Sequence, residues 1–265
     1  MRFCVLGSGS KGNCTYVGSG ATEILIDAGF SGIEIERRLS SIGSDISRIK
    51  AILITHEHGD HLQGVGVLSR KHGLPVYANE QTRAAADKVI GNLHSFKPFA
   101  TGRPFILEGL TIHPFAVSHD TVDPVGFTID DGANRFGYCT DTGMISRLIH
   151  RHLSPCQGLV LECNHDPDML KNGPYPLQLK QRIRSRTGHL ANGQALDFLR
   201  ELLHEYHRHV VLAHISDSNN CHDLLARDVE RFLVDNGLEA TQEEVKLQIS
   251  LARQGEPGLL VRLGE

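Results

Sequence analysis

The sequence lacks several features that would assign it to a simple class of protein. Its six cysteines include no Cys-x-x-Cys pair, which excludes a zinc ribbon and gives no sign of the disulfide framework of small secreted domains. No apolar run reaches the roughly 20 residues that cross a membrane, and the first residues do not resemble a signal peptide. The net charge of −4 excludes a general polyanion binder, so nucleic-acid binding would need a local basic patch. We expect a cytoplasmic protein without membrane contacts.

Nothing in the chain marks a boundary between domains. No repeat, low-complexity tract or Pro/Ser-rich linker occurs, so we expect one domain over residues 1–265. Short apolar runs alternate with segments of helical periodicity. Strands are predicted at 3–6, 23–26, 51–54, 76–77, 110–115, 125–129, 136–139, 158–161 and 210–213, and helices at 33–39, 64–71, 80–90, 144–152, 176–186, 193–204 and 223–235. This mixture favours a layered α/β sandwich over a purely alternating parallel sheet.

Histidine is frequent and concentrated. The chain has 16 histidines, and histidine is the commonest metal ligand in proteins. His56, His58, Asp60 and His61 form a His-x-His-x-Asp-His motif, and burying so many unpaired polar groups would cost roughly 1–3 kcal/mol each. In an extended loop His56 and His58 point the same way, whereas Asp60 and His61 can turn toward a second centre, with Gly59 easing the turn. The motif therefore predicts a metal site.

Polar residues also follow the predicted strands. A zinc ion takes three or four protein groups, and the motif supplies at most two for each of two centres. His119, Asp141 and His214 each follow a strand, as do Asp27 and Glu162. Residues just past the carboxyl ends of strands gather at one edge of a sheet, where sites form. We therefore expect His119, Asp141 and His214 to complete the ligand set.

The order of these residues resembles the ordered motifs of the metallo-β-lactamase superfamily, from about residue 3 to residue 225. The resemblance implies a four-layer αββα sandwich with the site at one edge of two facing sheets. It also implies two metal sites of three residues each, namely His56, His58 and His119 for the first and Asp60, His61 and His214 for the second. Asp141 would bridge the two ions, and Asp27 would orient the ligands.

Further stretches resemble one branch of that superfamily, the YycJ-like proteins, which are related to ribonuclease Z and to the phosphodiesterase PhnP. The stretches are 7–14 (GSGSKGNC), 119–126 (HDTVDPVG), 162–166 (ECNHD), 169–176 (MLKNGPYP), 179–183 (LKQRI), 188–192 (GHLAN) and 214–220 (HISDSNN). Glyoxalase II would carry a glycine pair soon after the His/Asp motif, where this chain has only Gly64. A flavodiiron protein would carry Glu in place of His58.

The branch implies a metal-dependent hydrolase that cleaves phosphodiester bonds. Its activity would resemble that of a DNA exonuclease, and its substrate would be DNA or RNA. Two divalent ions would activate water, and the ligands suit zinc and manganese, or iron. Asp60 would orient or deprotonate that water. Similarity to ribonuclease Z suggests that His189 protonates the leaving oxygen or contacts the phosphate; the alternative for His189 is a histidine at a helix N-terminus without a role.

Two other functions stay open on the same residues. One is hydrolysis of a small ester, such as a thioester, a lactone or a cyclic nucleotide phosphodiester. The other is a metal-bearing binding or regulatory protein without turnover. The complete ligand set argues against the second, because none of its residues is replaced.

Some segments allow two interpretations each. The loop at 7–13, with Ser10 and Asn13, either offers groups to a phosphate or is an ordinary tight turn. His165 either supports the site beside Glu162 or belongs to a plain loop, and Asn220 is expected to support the site or contact substrate. The basic run at 180–186 (KQRIRSR) either follows a phosphate backbone or forms a solvated surface.

Overall fold

The computed structural model describes residues 1–202, 209–238 and 247–264. These ranges contain two seven-stranded sheets that pack face to face, with helices on the outer surface of each. The predicted four-layer αββα sandwich is confirmed. Across the described ranges, none of the helices combines the length and the apolar character needed to span a bilayer.

The first sheet contains the strands of the N-terminal part of the chain and one short C-terminal strand. Its strands are β1 (Arg2–Gly7), β2 (Cys14–Ser19), β3 (Thr22–Ile26), β4 (Ile49–Leu53), β5 (Pro75–Ala78), β6 (Ser95–Pro98) and β14 (Val261–Arg262), in the order β14-β1-β2-β3-β4-β5-β6. Its helices are α1 (Gly32–Ser41), α2 (Gly59–Leu62), α3 (Val65–His72) and α4 (Glu80–Ile90), besides a 3-10 turn at Ile46–Arg48. Strands β3 to β6 run parallel, so their carboxyl ends meet at one edge.

The second sheet has the same number of strands and faces the first. Its strands are β7 (Phe105–Leu107), β8 (Leu110–Ala116), β9 (Val125–Asp130), β10 (Arg135–Cys139), β11 (Gly158–Glu162), β12 (His209–Ala213) and β13 (Gln248–Leu251), in the order β13-β12-β11-β10-β9-β8-β7. The helices of this half are α5 (Arg147–Leu153), α6 (Pro167–Asn172), α7 (Leu177–Ile183), α8 (Asn192–Glu201) and α9 (His222–Asp235). Strands β10 to β13 are parallel.

Three clusters of buried apolar side chains fill the spaces between the layers. One lies between the sheets, and the other two lie between each sheet and its helices. Strands buried on both faces, such as β3 and β11, therefore appear in the sequence as continuous apolar runs. Burial of both sheet faces leaves the strand ends as the natural place for polar side chains.

The predicted elements are present, with shifted ends and some omissions. The helix predicted at 144–152 begins at Arg147, because the side chain of Ser146 accepts a hydrogen bond from the N–H of Ile149 and caps it. Strand β2 was not predicted, since its sequence CTYVGS has no clear apolar alternation. Residues 203 and 204, at the end of the helix predicted at 193–204, lie outside the described residues.

Candidate active site

Three residues of the predicted site turn the chain sharply just after a strand. Asp27 follows β3, Asp141 lies two residues after β10, and His214 follows β12. Their φ angles are 59°, 54° and 55°, in the left-handed region that non-glycine residues rarely adopt. Such strain costs about 1–3 kcal/mol per residue and is typical of functional sites. The turns aim these side chains into the edge where the two sheets meet.

His56, His58 and His119 form the first group of ligand atoms. Nε2 of His56 lies 3.1 Å from Nδ1 of His58, and Nε2 of His119 lies 3.2 Å from the same atom. Nδ1 of His119 faces the carbonyl of Gly188 at 3.2 Å, and a carbonyl only accepts, so Nδ1 carries the proton. Nδ1 of His56 likewise donates to Oγ1 of Thr55 at 2.9 Å. The Nε2 lone pairs of His56 and His119 therefore point toward Nδ1 of His58.

Asp60, His61 and His214 form the second group. Oδ2 of Asp60 lies 3.5 Å from Nε2 of His61 and 3.6 Å from Nε2 of His214. Nδ1 of His61 donates to Asp27 at 2.7 Å, and Nδ1 of His214 donates to Glu162 at 2.9 Å. These carboxylates fix both rings so that their Nε2 atoms face Asp60.

Asp141 lies between the two groups and contacts both. Its Oδ2 is 3.4 Å from Nε2 of His61, and its Oδ1 is 3.8 Å from Nε2 of His119. Oδ2 of Asp141 and Nε2 of His214 are buried without a hydrogen-bond partner, which costs roughly 1–3 kcal/mol for each atom. Divalent cations would remove that cost, and imidazole and carboxylate donors are the set that they take in such sites. The residues therefore fit metal ions.

The two groups differ in their affinity for protons. Burial lowers the pKa of His56 and of His58 below the ordinary range, and the neighbouring histidines lower it further. Burial acts the same way on His214, but Asp141, Asp60 and Glu162 outweigh it and raise its pKa to about 10. His56 and His58 are therefore neutral imidazoles, whereas a cation entering the second group displaces the proton of His214.

A cleft of about 400 Å³ opens over both groups. Its lining is formed by Ser10, His58, Gly59, Asp60, Asp141, Asn164, Tyr175, Leu179, Arg182, Ile183, His189, His214 and Ser216. His189 is part of this lining, and its Nδ1 lies 2.8 Å from Oε1 of Glu162. The same oxygen accepts from His214, so one buried carboxylate orients a residue of the ligand cluster and a residue of the cleft wall.

Asn13 is fully buried and supports the second group from behind. Its amide nitrogen lies 3.1 Å from Oδ2 of Asp60 and 3.1 Å from Nε2 of His61. Its side-chain oxygen accepts from the N–H of Gly9 at 3.0 Å and from the hydroxyl of Ser8 at 2.7 Å. Asn13 therefore holds the loop against Asp60 and does not face the cleft.

The loop at 7–13 is a tight turn and not a phosphate cradle. The N–H groups of Gly9, Lys11 and Gly12 donate to Asn13, to the side chain of Gln254 and to the carbonyl of Gly9. These donors are consumed within the protein, so the interpretation as a phosphate-binding loop is wrong for them. Only the exposed Ser10 reaches the cleft.

His165 and Asn220 do not touch the ligand groups. Nδ1 of His165 is buried without a hydrogen-bond partner, and burial lowers the pKa of this residue to about 4. Within the described ranges His165 makes no hydrogen bond to Glu162. The amide of Asn220 donates to the carbonyls of Cys163 and Asn164 at 3.2 and 3.0 Å. Asn220 therefore holds the loops after β11 and β12 together.

The four cationic residues of the basic run at 180–186 differ in what they contact. Arg182 lines the cleft and forms a two-pronged pair with Asp120, with one contact at 3.1 Å. Lys180 is used internally, because its Nζ donates to backbone carbonyls of residues 171 and 173. Arg184 and Arg186 are exposed outside the cleft, so the solvated-surface interpretation holds for those two.

Sequence reasoning missed several residues of the cleft, namely Asn164, Tyr175, Leu179, Ile183 and Ser216. A signal was present for two of them, since Leu179 and Ile183 lie four residues apart within α7, which Tyr175 precedes. That spacing places side chains on one face of a helix. For Asn164 and Ser216 no local signal distinguishes them from other loop residues.

Residues 22–215 match the family described as the beta-lactamase superfamily domain. The exodeoxyribonuclease YycJ of Bacillus anthracis is 36% identical over 239 residues, which are 89% of this chain and 90% of that protein. The exodeoxyribonuclease WalJ of Streptococcus pneumoniae serotype 2 is 37% identical over 228 residues, which are 84% of this chain and 85% of that protein.

The fold also agrees with a solved structure. The metallo-beta-lactamase fold protein YhfI from Bacillus subtilis has a TM-score of 0.73 at 17% identity, covering 97% of this chain and 99% of that one. The chain therefore belongs to the metallo-β-lactamase superfamily of metal-dependent hydrolases, in the branch that contains YycJ and WalJ.

Proposed function

We propose that this chain hydrolyses phosphodiester bonds of DNA from a strand end, with two divalent cations, zinc or manganese, bound in its cleft. The observation that carries the proposal is the pair of three-residue ligand groups with Asp141 in contact with both. The names of the relatives YycJ and WalJ, both exodeoxyribonucleases, support DNA as the substrate. His56, His58 and His119 would hold one ion, and Asp60, His61 and His214 the other.

The chain supplies an ionised carboxylate beside the attacking water. When bound, the two cations would supply a water of lowered pKa and neutralise the charge that develops on the phosphate. Burial would raise the pKa of Asp60, but His61 and His214 outweigh it and hold the pKa well below the ordinary range. Asp60 is therefore ionised, and its carboxylate at the cleft surface can accept a hydrogen bond from a water and orient it.

We assign to His189 the protonation of the leaving oxygen. Glu162 accepts the Nδ1 proton of His189, which leaves Nε2 as the nitrogen available to a bound substrate. An imidazolium in a cleft can donate a proton to a departing oxygen, typically accelerating a reaction about 10²- to 10⁴-fold.

The first test is hydrolysis of bis(p-nitrophenyl) phosphate by metal-stripped protein, with zinc or manganese added back. Turnover restored by metal supports a phosphodiesterase, and end-labelled DNA and RNA then identify the polymer. No turnover with either metal, together with cleavage of a thioester or a lactone, would overturn the phosphodiester assignment. Turnover of the small ester without degradation of either polymer would instead favour a small phosphodiester.

The two-ion arrangement predicts a specific loss in His61→Ala. We expect this variant to retain about one metal ion per chain instead of two and to lose most activity, because one ligand of the second group is removed. Metal content is measured by mass spectrometry of the dialysed protein. The exposed His94 provides the matched control, since His94→Ala removes a histidine outside the groups. Unchanged metal content and full activity in His61→Ala would contradict the two-ion proposal.

A second prediction compares the roles of Arg182 and Arg184 in substrate binding. Arg182→Ala is expected to raise KM for a DNA oligonucleotide more than for bis(p-nitrophenyl) phosphate, because only the longer substrate extends along the cleft wall. The control Arg184→Ala removes an exposed cation two residues away and should leave both substrates unaffected. Equal effects of the two variants on DNA would rule out a specific role of Arg182.

A further inference from the structure

Arg182 is held in a fixed orientation at the wall of the cleft. Nε and Nη2 of its guanidinium donate to the two carboxylate oxygens of Asp120, with the Nη2 contact at 3.1 Å. Such a two-pronged pair fixes the plane of the guanidinium as well as its position. Within the described residues its Nη1 makes no hydrogen bond. Arg182 therefore keeps N–H donors free for a ligand of the cleft.

The loop that carries Asp120 is tied to the metal-ligand residues. Asp120 directly follows His119, whose Nδ1 donates to the carbonyl of Gly188 at 3.2 Å. Two residues further along, the N–H of Val122 donates to Oε1 of Glu57 at 2.9 Å. Glu57 itself lies between two residues of the first ligand group. The position of the Asp120 backbone is therefore set by the same contacts that place the ligands.

Helix α7 fixes the arginine from the other side. Nζ of Lys180 donates to the carbonyl of Gly173 at 2.7 Å, which ties the helix to the segment before it. The N–H of His189 donates to the carbonyl of Ile183, the last residue of α7, at 2.9 Å. The helix is therefore anchored near both of its ends. The side chain of Arg182 is 52% exposed, and an exposed ion pair contributes little to stability, so variants of the pair should fold.

Asp120 also connects the arginine with the first ligand group. Its Oδ1 lies 3.6 Å from Nε2 of His119 and 3.1 Å from Nη2 of Arg182. These two nitrogens are therefore at most about 7 Å apart, and one carboxylate oxygen contacts both. The next phosphate of a nucleic-acid strand lies at a comparable distance from the one that is cleaved. The guanidinium is thus held one carboxylate away from the ligand group, within reach of a neighbouring phosphate.

Little other positive charge is available in the cleft. In the part of the chain that the structure describes, Arg182 is the only arginine or lysine of the lining. The whole chain has a net charge of −4, so its overall charge does not attract a polyanion. The placement of this one guanidinium therefore decides how the cleft holds a phosphate that the ligand groups do not bind.

We propose that Arg182 binds the phosphate next to the scissile phosphodiester and that Asp120 is the positioning residue that holds the guanidinium there. The inference rests on the proposed nuclease function. Arginine suits this contact because its planar guanidinium keeps N–H donors for a phosphate while the carboxylate occupies two others. The site therefore favours a strand with a second phosphate beside the cleaved one over an isolated phosphodiester.

The test removes one negative charge from the substrate. DNA oligonucleotides carry a neutral methylphosphonate either at the linkage next to the first one cleaved or several linkages away. We expect the native, metal-loaded protein to cleave the DNA with the adjacent change about 10- to 100-fold more slowly in kcat/KM, because one charge-assisted contact is lost. The DNA with the remote change should be cleaved as fast as unmodified DNA.

Two variants assign this preference to the ion pair. Arg182→Ala should cleave the two modified DNAs at similar rates, because the group that senses the adjacent charge is gone. Asp120→Asn should keep the arginine but lower the preference severalfold, because an amide offers one acceptor oxygen and no charge to the guanidinium. Damage to the ligand groups would slow both DNAs alike, so the ratio of the two rates reports the arginine and not the metal site.

Arg184→Ala and Asp87→Asn serve as matched controls. Arg184 is an exposed arginine that does not line the cleft, and Asp87 is an exposed carboxylate paired with Arg83 on α4. Both variants should show the native ratio of rates.

Equal cleavage of the two modified DNAs by the native protein would overturn the contact with a neighbouring phosphate, and that comparison needs no variant to fold. An unchanged ratio in Arg182→Ala would overturn the assignment of the contact to this arginine. An unchanged ratio in Asp120→Asn would overturn the positioning role of the carboxylate. Failure to degrade any DNA, with turnover of bis(p-nitrophenyl) phosphate, would instead defeat the nuclease function itself and this inference with it.

Discussion

Asp27 shows how much of the site depends on one carboxylate that never reaches the cleft. It is fully buried and accepts hydrogen bonds from the N–H of Thr55 at 2.9 Å, from the hydroxyl of Thr55 at 2.8 Å and from Nδ1 of His61 at 2.7 Å. The Thr55 hydroxyl in turn accepts from Nδ1 of His56. Asp27 thus sets the ring orientation of one histidine in each ligand group.

We therefore predict that Asp27→Asn weakens metal binding. The amide has a single acceptor oxygen, so its NH₂ group meets a donor, and loss of such support typically lowers metal affinity about 10- to 100-fold. Competition with a chromophoric chelator measures the change. The control Asp197→Asn alters an exposed carboxylate paired with Arg200 on α8 and should leave affinity unchanged. Native affinity in Asp27→Asn would mean that the ligands are oriented without this carboxylate.

At the scale of the elements, the site is built by loops that pack backbone against backbone. The N–H of Asn13 donates to the carbonyl of Asp60 at 2.8 Å, and the N–H of Ala28 donates to the carbonyl of His61 at 2.9 Å. Gly29 lies so close that a Cβ there would be 1.7 Å from the carbonyl oxygen of Asp60. The loops after β1, β3 and β4 therefore form one unit, and the close approach requires glycine at position 29.

Gly59 has no such requirement, although we expected it to ease the turn of the His/Asp motif. It is the first residue of α2, its φ is not in the left-handed region, and a Cβ there would meet no atom within 4 Å. The turn is instead made by the start of a helix, which any residue can adopt. The expectation for Gly59 is therefore wrong.

We predict a large effect of alanine at Gly29 and a small effect of alanine at Gly59. Gly29→Ala should lower the free energy of unfolding by about 1–3 kcal/mol or more and reduce metal content, because the backbone of Asp60 must move. Gly59→Ala, in the same unit, should change stability by less than about 0.5 kcal/mol. Thermal unfolding and metal analysis measure both effects. Similar values for the two variants would contradict the packing argument.

At the scale of the whole molecule, acid stability depends in part on His152, which does not line the cleft. His152 on α5 stacks on Phe115 with ring centroids 4.8 Å apart and meets His113 edge to face at 4.5 Å. Burial, then the neighbouring His113, Arg151 and Arg135, lower the pKa of His152 to about 4. Below about pH 6.5 His152 is therefore protonated in the unfolded chain, whereas in the folded chain it stays neutral until the pH approaches 4. Stability from this group is unaffected above that pH and falls as the pH drops toward 4.

Replacing His152 by Phe should therefore reduce the acid sensitivity of the fold. The ring stack on Phe115 remains, and the loss of stability between pH 7 and pH 4.5 should shrink by on the order of 1 kcal/mol, since the partial exposure of the side chain screens the effect. In a chain of this size that corresponds to about 2–4 °C in Tm. The measurement compares metal-free proteins at both pH values, with His94→Gln as the control for losing an exposed histidine. An unchanged difference in Tm would contradict the assignment.

The sequence by itself determined the fold class and the positions of the metal-ligand candidates. Apolar strands buried on both faces leave their ends as the place for polar side chains, so Asp27, Asp141 and His214 stand out locally. The His-x-His-x-Asp-His motif is dense enough to be recognised without knowledge of its neighbours. The resemblance to the metallo-β-lactamase superfamily implied two facing sheets with the site at one edge, and the structure confirms that architecture.

Only the tertiary structure decided which residues support the ligands and which line the cleft. Glu162 orients His189 and His214, which lie 27 and 52 residues further along the chain. Asn13 reaches Asp60 across 47 residues. Tyr175 precedes α7 and still lines the cleft together with three residues of that helix. Periodicity and motifs report on neighbours along the chain, whereas hydrogen bonds and cleft walls join residues that meet only when the sheets pack, because packing is what brings their strand ends to one edge.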